Sequence, residues 1–152
     1  MRRGATWSTL VSMTLPTTRH ETLVKAIEAF LTGNVSLCER VFTADVTCTS
    51  PIVSTASRDE LETWLSSRAD GLANIDVVLD HAMDDESCAV AEWRIEADHA
   101  RPFVVPQDTR LDPHNESMSL RGVSVADFTR GRISAIRHYF DKEALFAQLV
   151  PR

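Results

Sequence analysis

GVSVADFTRGRISAIRHYFDKEALFAQL, residues 122–149, is the stretch of sequence that decides the fold of this chain. Gly122–Phe128 is rich in β-branched and aromatic residues, which favour an extended strand. Thr129–Arg132 contains a glycine and supplies the turn, and Ile133–Phe140 is a second short apolar run. This order predicts a β-hairpin.

A short amphipathic helix follows the hairpin. Asp141 is suited to accept a hydrogen bond from a free amide at the start of the helix Lys142–Leu149. Leu145, Phe146 and Leu149 then recur at helical spacing and form an apolar stripe. The chain is therefore expected to end on a helix that packs against the hairpin.

Upstream, capping-box patterns predict helices in the first half of the chain. The boxes are Thr18–Glu21, Ser36–Glu39 and Ser57–Glu60, each with a hydroxyl three residues before a glutamate. Apolar residues at helical spacing follow each box, and 46–50 between the second and third box reads as a short strand.

The middle of the chain predicts further strands. Ile75–His81 is a short β-rich run, and Cys88–Asp98 alternates between apolar and polar side chains. Between His99 and Ser117, three prolines break the pattern, which favours a long hairpin loop in which "PFVV" lengthens one strand. Helices followed by an antiparallel meander and a last helix define an α+β class. Residues 1–16 are expected to be a disordered extension and 17–152 a single domain.

The stretch 122–149 resembles the C-terminal part of SnoaL-like proteins, a branch of the nuclear-transport-factor-2-like superfamily. The superfamily also contains polyketide cyclases, ketosteroid isomerase and limonene epoxide hydrolase. The resemblance, which extends over roughly 18–150, implies a cone-shaped curved antiparallel sheet packed on N-terminal helices, with an apolar pocket and a homodimer.

The resemblance also implies a candidate site. In the limonene epoxide hydrolase pattern, an Arg-x-Asp pair on a middle strand and an Asp before a Tyr-Phe-Asp run activate a water molecule. The matching positions here are Arg94, Glu96 and His138, so one carboxylate is longer and the other is replaced by a histidine. A histidine with a pKa of ~6.5 can act as a general acid or base near neutral pH. A ketosteroid isomerase mechanism fits less well, because Tyr139 is the single tyrosine.

Each candidate residue also has a structural explanation. Arg94 and Glu96 fit an ordinary solvated face or a dimer interface, with Trp93 and Ile95 as exposed apolar positions that would support a dimer. His138 shares a face with apolar residues and fits a satisfied core histidine. Asp141 resembles the acid/base aspartate of some SnoaL-like cyclases, but helix capping is the favoured explanation, since strand alternation places Asp141 on the face opposite His138.

Composition narrows the functional classes. The 152 residues carry a formal net charge of −6 with scattered Lys and Arg, which opposes binding to nucleic acid. No apolar run reaches the length of about 20 residues that crosses a bilayer. The three cysteines, Cys38, Cys48 and Cys88, lie far apart, so we expect reduced thiols and a cytoplasmic protein.

The histidines show no HxH or HExxH spacing and there is no glycine-rich phosphate loop, so neither a metal nor a cofactor is predicted. We expect a protein that binds a small hydrophobic molecule. It would act as a cofactor-independent isomerase, cyclase or hydrolase using His138, Arg94, Glu96 and Asp141, or else serve as a non-catalytic binding or interaction module of the same fold.

Overall fold

The structure is a computed structural model that describes residues 18–68, 71–105, 109–113 and 116–150. The predicted extension 1–16 lies outside these residues. The helices are α1 (Arg19–Thr32), α2 (Cys38–Val41), α3 (Arg58–Arg68) and α4 (Lys142–Leu149). The strands are β1 (Phe42–Thr49), β2 (Ser54–Thr55), β3 (Leu72–Asp84), β4 (Cys88–His99), β5 (Phe103–Val105), β6 (Thr109–Leu111), β7 (Ser117–Thr129) and β8 (Arg132–Phe140).

Six strands form one curved sheet in the order β2-β1-β8-β7-β4-β3. Neighbouring strands are antiparallel except β1 and β8, which run parallel to each other. The α+β class with a terminal helix is confirmed. The predicted antiparallel meander comprises β3, β4, β7 and β8. β1 lies outside this meander, because it pairs in parallel with β8 on the side away from β7.

The predicted β7–β8 hairpin is confirmed. Arg130 and Gly131 form its two-residue loop and both have positive φ, at 52° and 79°. Turns of this kind match the right-handed twist of the flanking strands. β7 begins at Ser117, earlier than the sequence pattern indicated.

Two of the three predicted helix starts carry the expected caps, and one does not. Thr18 Oγ1 accepts from the Glu21 amide at 3.1 Å, and Ser57 Oγ accepts from the Glu60 amide at 3.2 Å. Ser36 does not cap α2, because the N-cap position is occupied by Leu37, which makes no side-chain hydrogen bond. The Ser36 amide instead donates to Asn34 Oδ1 at 2.9 Å, so the residue belongs to the turn that follows α1.

The region between β4 and β7 differs from the expected loop. Phe103–Val105 pairs with Thr109–Leu111 in a separate two-stranded sheet and does not lengthen a strand of the main sheet. The proline-containing segments around it explain why pairing is confined to such short strands. Within the part of the chain that is described, no helix has the length and hydropathy required to cross a membrane.

The hydrophobic core lies between α1 and the concave face of the sheet. α1 packs against β3, β4, β7 and β8, with Leu23, Ile27 and Phe30 almost fully buried. Burying side chains of this size stabilises the fold by roughly 1.5–3 kcal/mol each.

The buried thiols predict a loss of stability in alkaline solution. All three cysteines are free, and burial raises the pKa of Cys48 from its ordinary value of 9.0 to about 12 and that of Cys38 to about 11. Above pH 9 the unfolded chain therefore loses thiol protons first, so the free energy of unfolding should fall as the pH rises towards 11.

Urea unfolding at a series of alkaline pH values measures this fall. The free energy of unfolding should fall less steeply with pH in the double variant Cys38→Ala/Cys48→Ala than in the wild-type protein. It should fall as steeply as in the wild type in Thr47→Ala, which alters an exposed residue beside Cys48. Equal slopes in all three proteins would contradict the prediction.

Candidate functional site

β4 divides the candidate residues between the two faces of the sheet. Trp93 and Ile95 point into the core and are 0% and 1% exposed, whereas Arg94 and Glu96 are exposed on the outer face. The expectation that Trp93 and Ile95 are exposed apolar positions at a dimer interface is therefore wrong. Turning the charged face inward would bury Arg94 and Glu96 without partners, at a cost of several kcal/mol each.

Arg94, Glu96 and His138 do not meet in the described chain. Arg94 Nε donates to both carboxylate oxygens of Asp80 on β3, at 3.1 and 3.2 Å. Glu96 lies opposite Asp76 of β3 and Ser119 of β7. His138 is 3% exposed and lies on the other face of the sheet. The predicted three-residue constellation is thus separated by the sheet itself.

His138 is held inside the core by aromatic packing. It follows the inward positions of β8, as expected from the face it shares with Ile136 and Phe140. Its ring stacks on Phe30 of α1, with centroids 4.0 Å apart. Phe30 also contacts Trp64 of α3 at 5.2 Å, so the imidazole is fixed from the helical side.

A buried hydrogen-bond chain fixes His138 from the sheet side. Trp93 Nε1 donates to Ser124 Oγ at 2.8 Å, and Ser124 Oγ lies 2.7 Å from His138 Nδ1. Ser124 is 0% exposed and pairs with His138 across β7 and β8. We call Trp93, Ser124 and His138 the buried triad.

The buried triad determines which ring nitrogen of neutral His138 carries the proton. An indole N–H can only donate, so Ser124 Oγ accepts from Trp93 and its own hydrogen remains to be placed. His138 Nδ1 is the remaining partner of Ser124 among the described residues, so it accepts that hydrogen. The proton of the imidazole is then on Nε2. The opposite tautomer would leave a buried hydroxyl hydrogen without an acceptor, at a cost of roughly 1–3 kcal/mol.

The sequence reasoning missed Ser124. A signal was present, because strand alternation places Ser124 on the same face as Ala126, where the pattern otherwise calls for apolar residues. A polar residue at an inward position is the observation that could have identified it, since buried hydroxyls require partners.

Gly122 creates the space in which the triad forms. A Cβ at this position would lie 2.3 Å from Trp93 Cζ2 and 2.7 Å from the carbonyl oxygen of Tyr139. Gly122 is opposite Trp93 across β4 and β7. The indole can therefore lie against the backbone of β7 and reach Ser124, two residues further along.

Asp141 lies away from the triad. It is exposed, and its Oδ1 accepts from the Ala144 amide at 3.1 Å, so the predicted cap of α4 is confirmed. The Asp141 carboxylate thus caps the helix while it remains exposed to solvent. Its predicted acid/base role is not supported by any contact with His138.

Next to the triad the interior holds a small apolar cavity. Its volume is about 20 Å³, and its lining includes Phe30, Phe140, Leu120 and Leu145. This volume holds about one water molecule, whereas pockets for drug-sized ligands span roughly 300–1,000 Å³. A ligand can enter only if side chains such as Phe140 move aside. Within the described residues, no group of three potential metal ligands occurs.

The chain belongs to the SnoaL-like domain family, whose model matches residues 23–136. No curated protein matches the sequence. Among solved structures, a SnoaL-like protein of Jannaschia sp. CCS1 is similar with a TM-score of 0.73 and 12% identity, over 88% of this chain and 92% of that one.

Two further structures share the architecture. A SnoaL-like polyketide cyclase of Agrobacterium tumefaciens has a TM-score of 0.65 and 11% identity, over 88% of this chain and 99% of its own. An NTF2-like protein of unknown function from Burkholderia pseudomallei has a TM-score of 0.63 and 17% identity, over 88% and 97%. These likenesses establish the fold.

The triad predicts the behaviour of His138 in solution. Long-range ¹H–¹⁵N NMR should show an unprotonated Nδ1 and a protonated Nε2 in the wild-type protein. Ser124→Ala removes the hydroxyl that selects this tautomer and leaves the Trp93 indole without its acceptor. We expect mixed tautomers and a loss of roughly 1–3 kcal/mol in the free energy of unfolding.

Ser119→Ala is the matched control, since Ser119 is exposed on the same strand. It should leave the tautomer and the stability unchanged. A wild-type spectrum with the proton on Nδ1 would refute the assigned hydrogen-bond direction.

Proposed function

We propose that the protein binds a small hydrophobic molecule inside the curved sheet and that His138 is the polar group that acts on it. The observation that carries this proposal is the buried triad, which holds the imidazole of His138 in a fixed orientation among buried apolar side chains. Apolar sites with a few fixed polar groups are typical of small-molecule binding. Membership of the SnoaL-like family and the likeness to a polyketide cyclase support the same class of ligand.

In this proposal His138 works by general acid/base chemistry without a cofactor. Its Nε2–H donates to an oxygen of the ligand, and Nδ1 remains bonded to Ser124. A donor fixed in a dry interior stabilises negative charge that develops on such an oxygen more strongly than water does. General acid catalysis of this kind is available to isomerases, cyclases and hydrolases alike.

The acid/base roles of Arg94, Glu96 and Asp141 remain predictions. Because these residues lie outside the concave face, we propose that ligand binding inside the sheet does not depend on them. A cytoplasmic location, inferred from the free cysteines, is also still a prediction.

A pair of matched compounds tests the proposal. 2-Acetylnaphthalene carries a carbonyl acceptor, and 2-ethylnaphthalene has a similar shape without one. NMR titration should show saturable shifts around Phe30 and Phe140, with the carbonyl compound bound about fivefold more tightly through one hydrogen bond. His138→Phe should remove that preference, whereas Arg94→Ala, Glu96→Gln and Asp141→Asn should keep it.

Loss of binding in Arg94→Ala together with normal binding in His138→Phe would contradict the proposal, because it would indicate that the ligand binds on the outer face. Mass spectrometry of the bound compounds then distinguishes an enzyme from a binding protein. A compound that is chemically converted by the wild-type protein but not by His138→Gln indicates catalysis.

The alternative is an interaction module, and the outer sheet face favours it. Met83 and Tyr139 are 73% and 56% exposed. Val90 lies opposite Met83 on one side and Val125 on the other, so apolar side chains cross three strands. We propose that this face forms a homodimer, because exposed apolar side chains that continue across neighbouring strands are typical of interfaces.

Light scattering after size exclusion, across a dilution series, tests the dimer. Val90→Glu should shift the protein towards monomer because it places a charge between Met83 and Val125. Ser66→Glu, an equal charge change on exposed α3, should not. A wild-type protein that is monomeric at every concentration would rule out this interface.

A further inference from the structure

We propose that α4 is a lid over the interior cavity, that the side chain of Gln148 holds this lid closed, and that the lid opens as a unit to admit the ligand to His138. The identity of the ligand rests on the proposed function. The opening of α4 is a property of the fold itself, so it can be tested without a ligand.

α4 separates the cavity from solvent. Leu145 lines the cavity and is 4% exposed, and Leu149 on the same side of the helix is 0% exposed. Glu143 and Ala147, on the opposite side of the helix, are exposed. The wall of the cavity at this point is therefore a single helix with water on its outer side.

α4 has few ties to the rest of the fold. It spans 8 residues, Lys142–Leu149, and helices shorter than about 12–15 residues are marginal on their own. It packs mainly against β7, whereas most other residues that line the cavity belong to α1 or to the six-stranded sheet. Among the described residues, Gln148 makes the only side-chain hydrogen bonds from α4 to another element. These bonds are therefore the natural place for a latch.

Gln148 fixes α4 to a part of β7 that β8 does not cover. β8 ends at Phe140, opposite Gly122, so within the described ranges the earlier residues of β7 pair only with β4. There Gln148 Oε1 accepts from the Ser119 amide at 2.8 Å, and Gln148 Nε2 donates to the Ser119 carbonyl oxygen at 2.8 Å. The side-chain amide thus takes the place of a neighbouring strand. Nε2 also donates to the Ala144 carbonyl oxygen at 2.9 Å, which orients the side chain from within the helix.

Release of this latch would open the cavity without unfolding the sheet. Gln148 is half-buried, so water can replace both of its bonds to Ser119 when α4 moves away. The movement withdraws Leu145 and leaves Met118 and Leu120 of β7 accessible from outside. Lids that admit ligands are drawn from elements of low local stability, and α4 fits this description.

Thiol labelling measures the opening without a ligand. Met118 lines the cavity and is 3% exposed, so the thiol introduced by Met118→Cys can react only when the cavity opens. Cys88→Ser removes the half-buried native thiol from the background. The reagent is methyl methanethiosulfonate, in which the thiolate attacks the methylthio sulfur, forms a methyl disulfide and releases methanesulfinate. Gln148→Ala should raise the labelling rate about tenfold, the factor expected for two lost hydrogen bonds.

Thr18→Ala is the matched control. It removes the cap of α1 and destabilises the whole fold, but it leaves α4 and its latch intact. It should speed labelling of the native thiol of Cys48, which is 1% exposed and reports global unfolding. Labelling of the thiol introduced by Met118→Cys should stay at its original rate in this variant.

Hydrogen exchange measures the same opening in the unsubstituted chain. The Ser119 amide is bonded to Gln148, whereas Val125 on the same strand is paired with strands on both sides. After correction for intrinsic rates, the Ser119 amide should exchange faster than the Val125 amide, because it is released by local opening of α4.

Binding kinetics connect the lid to the ligand. The association rate constant of 2-acetylnaphthalene should rise about tenfold in Gln148→Ala and stay unchanged in Thr18→Ala. The lid is overturned if Gln148→Ala speeds neither labelling nor association, if Thr18→Ala speeds labelling as much, or if Ser119 and Val125 exchange equally.

The lid and the proposed function can fail separately. A carbonyl preference that disappears in His138→Phe, together with association rates that ignore Gln148→Ala, refutes the lid and supports the function. Labelling that depends on Gln148, with no binding of either naphthalene, supports the lid and refutes the function.

Discussion

The absence of a Cβ at residue 122 is the constraint on which the interior of this protein depends. Any side chain there would overlap the Trp93 ring and the Tyr139 carbonyl. With glycine in place, the indole lies against β7 and donates to Ser124, which in turn orients His138. One backbone position thus links three strands, β4, β7 and β8, through a buried hydrogen-bond chain. Buried chains of this kind specify a single arrangement because every broken link leaves a polar group without a partner.

Local sequence patterns predicted the secondary structure well because the determinants are local. The hairpin at Arg130 and Gly131, the cap at Asp141 and the alternation of β4 all depend on neighbours in sequence. The pattern also separated the two faces of β4 correctly. It did not decide which face turns inward, and the polar face with Arg94 and Glu96 was assigned to the site. The cost of burying unpaired charges decides which face of β4 turns inward, and the position of Arg94 and Glu96 in a family motif does not offset that cost. Ser124 was missed because its partners, Trp93 and His138, come from other strands.

The two faces of the sheet differ in their side-chain chemistry. The concave face holds the oriented imidazole of His138 among aromatic and aliphatic side chains, beside a cavity of only about 20 Å³. The proposed ligand would therefore need local rearrangement of side chains such as Phe30 and Phe140, which line this cavity. The outer face carries ion pairs such as Arg94–Asp80 and the exposed side chains of Met83 and Tyr139.

The most direct measurement on the buried triad is hydrogen exchange of the tryptophan indole protons, with Trp93 assigned by comparison with Trp93→Phe. If Trp93 Nε1–H is closed inside the core and bonded to Ser124, it should exchange only when the whole protein unfolds, at a rate set by the global stability. The half-buried Trp64 provides the reference within the same molecule. Exchange of the Trp93 proton as fast as that of Trp64 under native conditions would contradict a closed interior organised around this hydrogen bond.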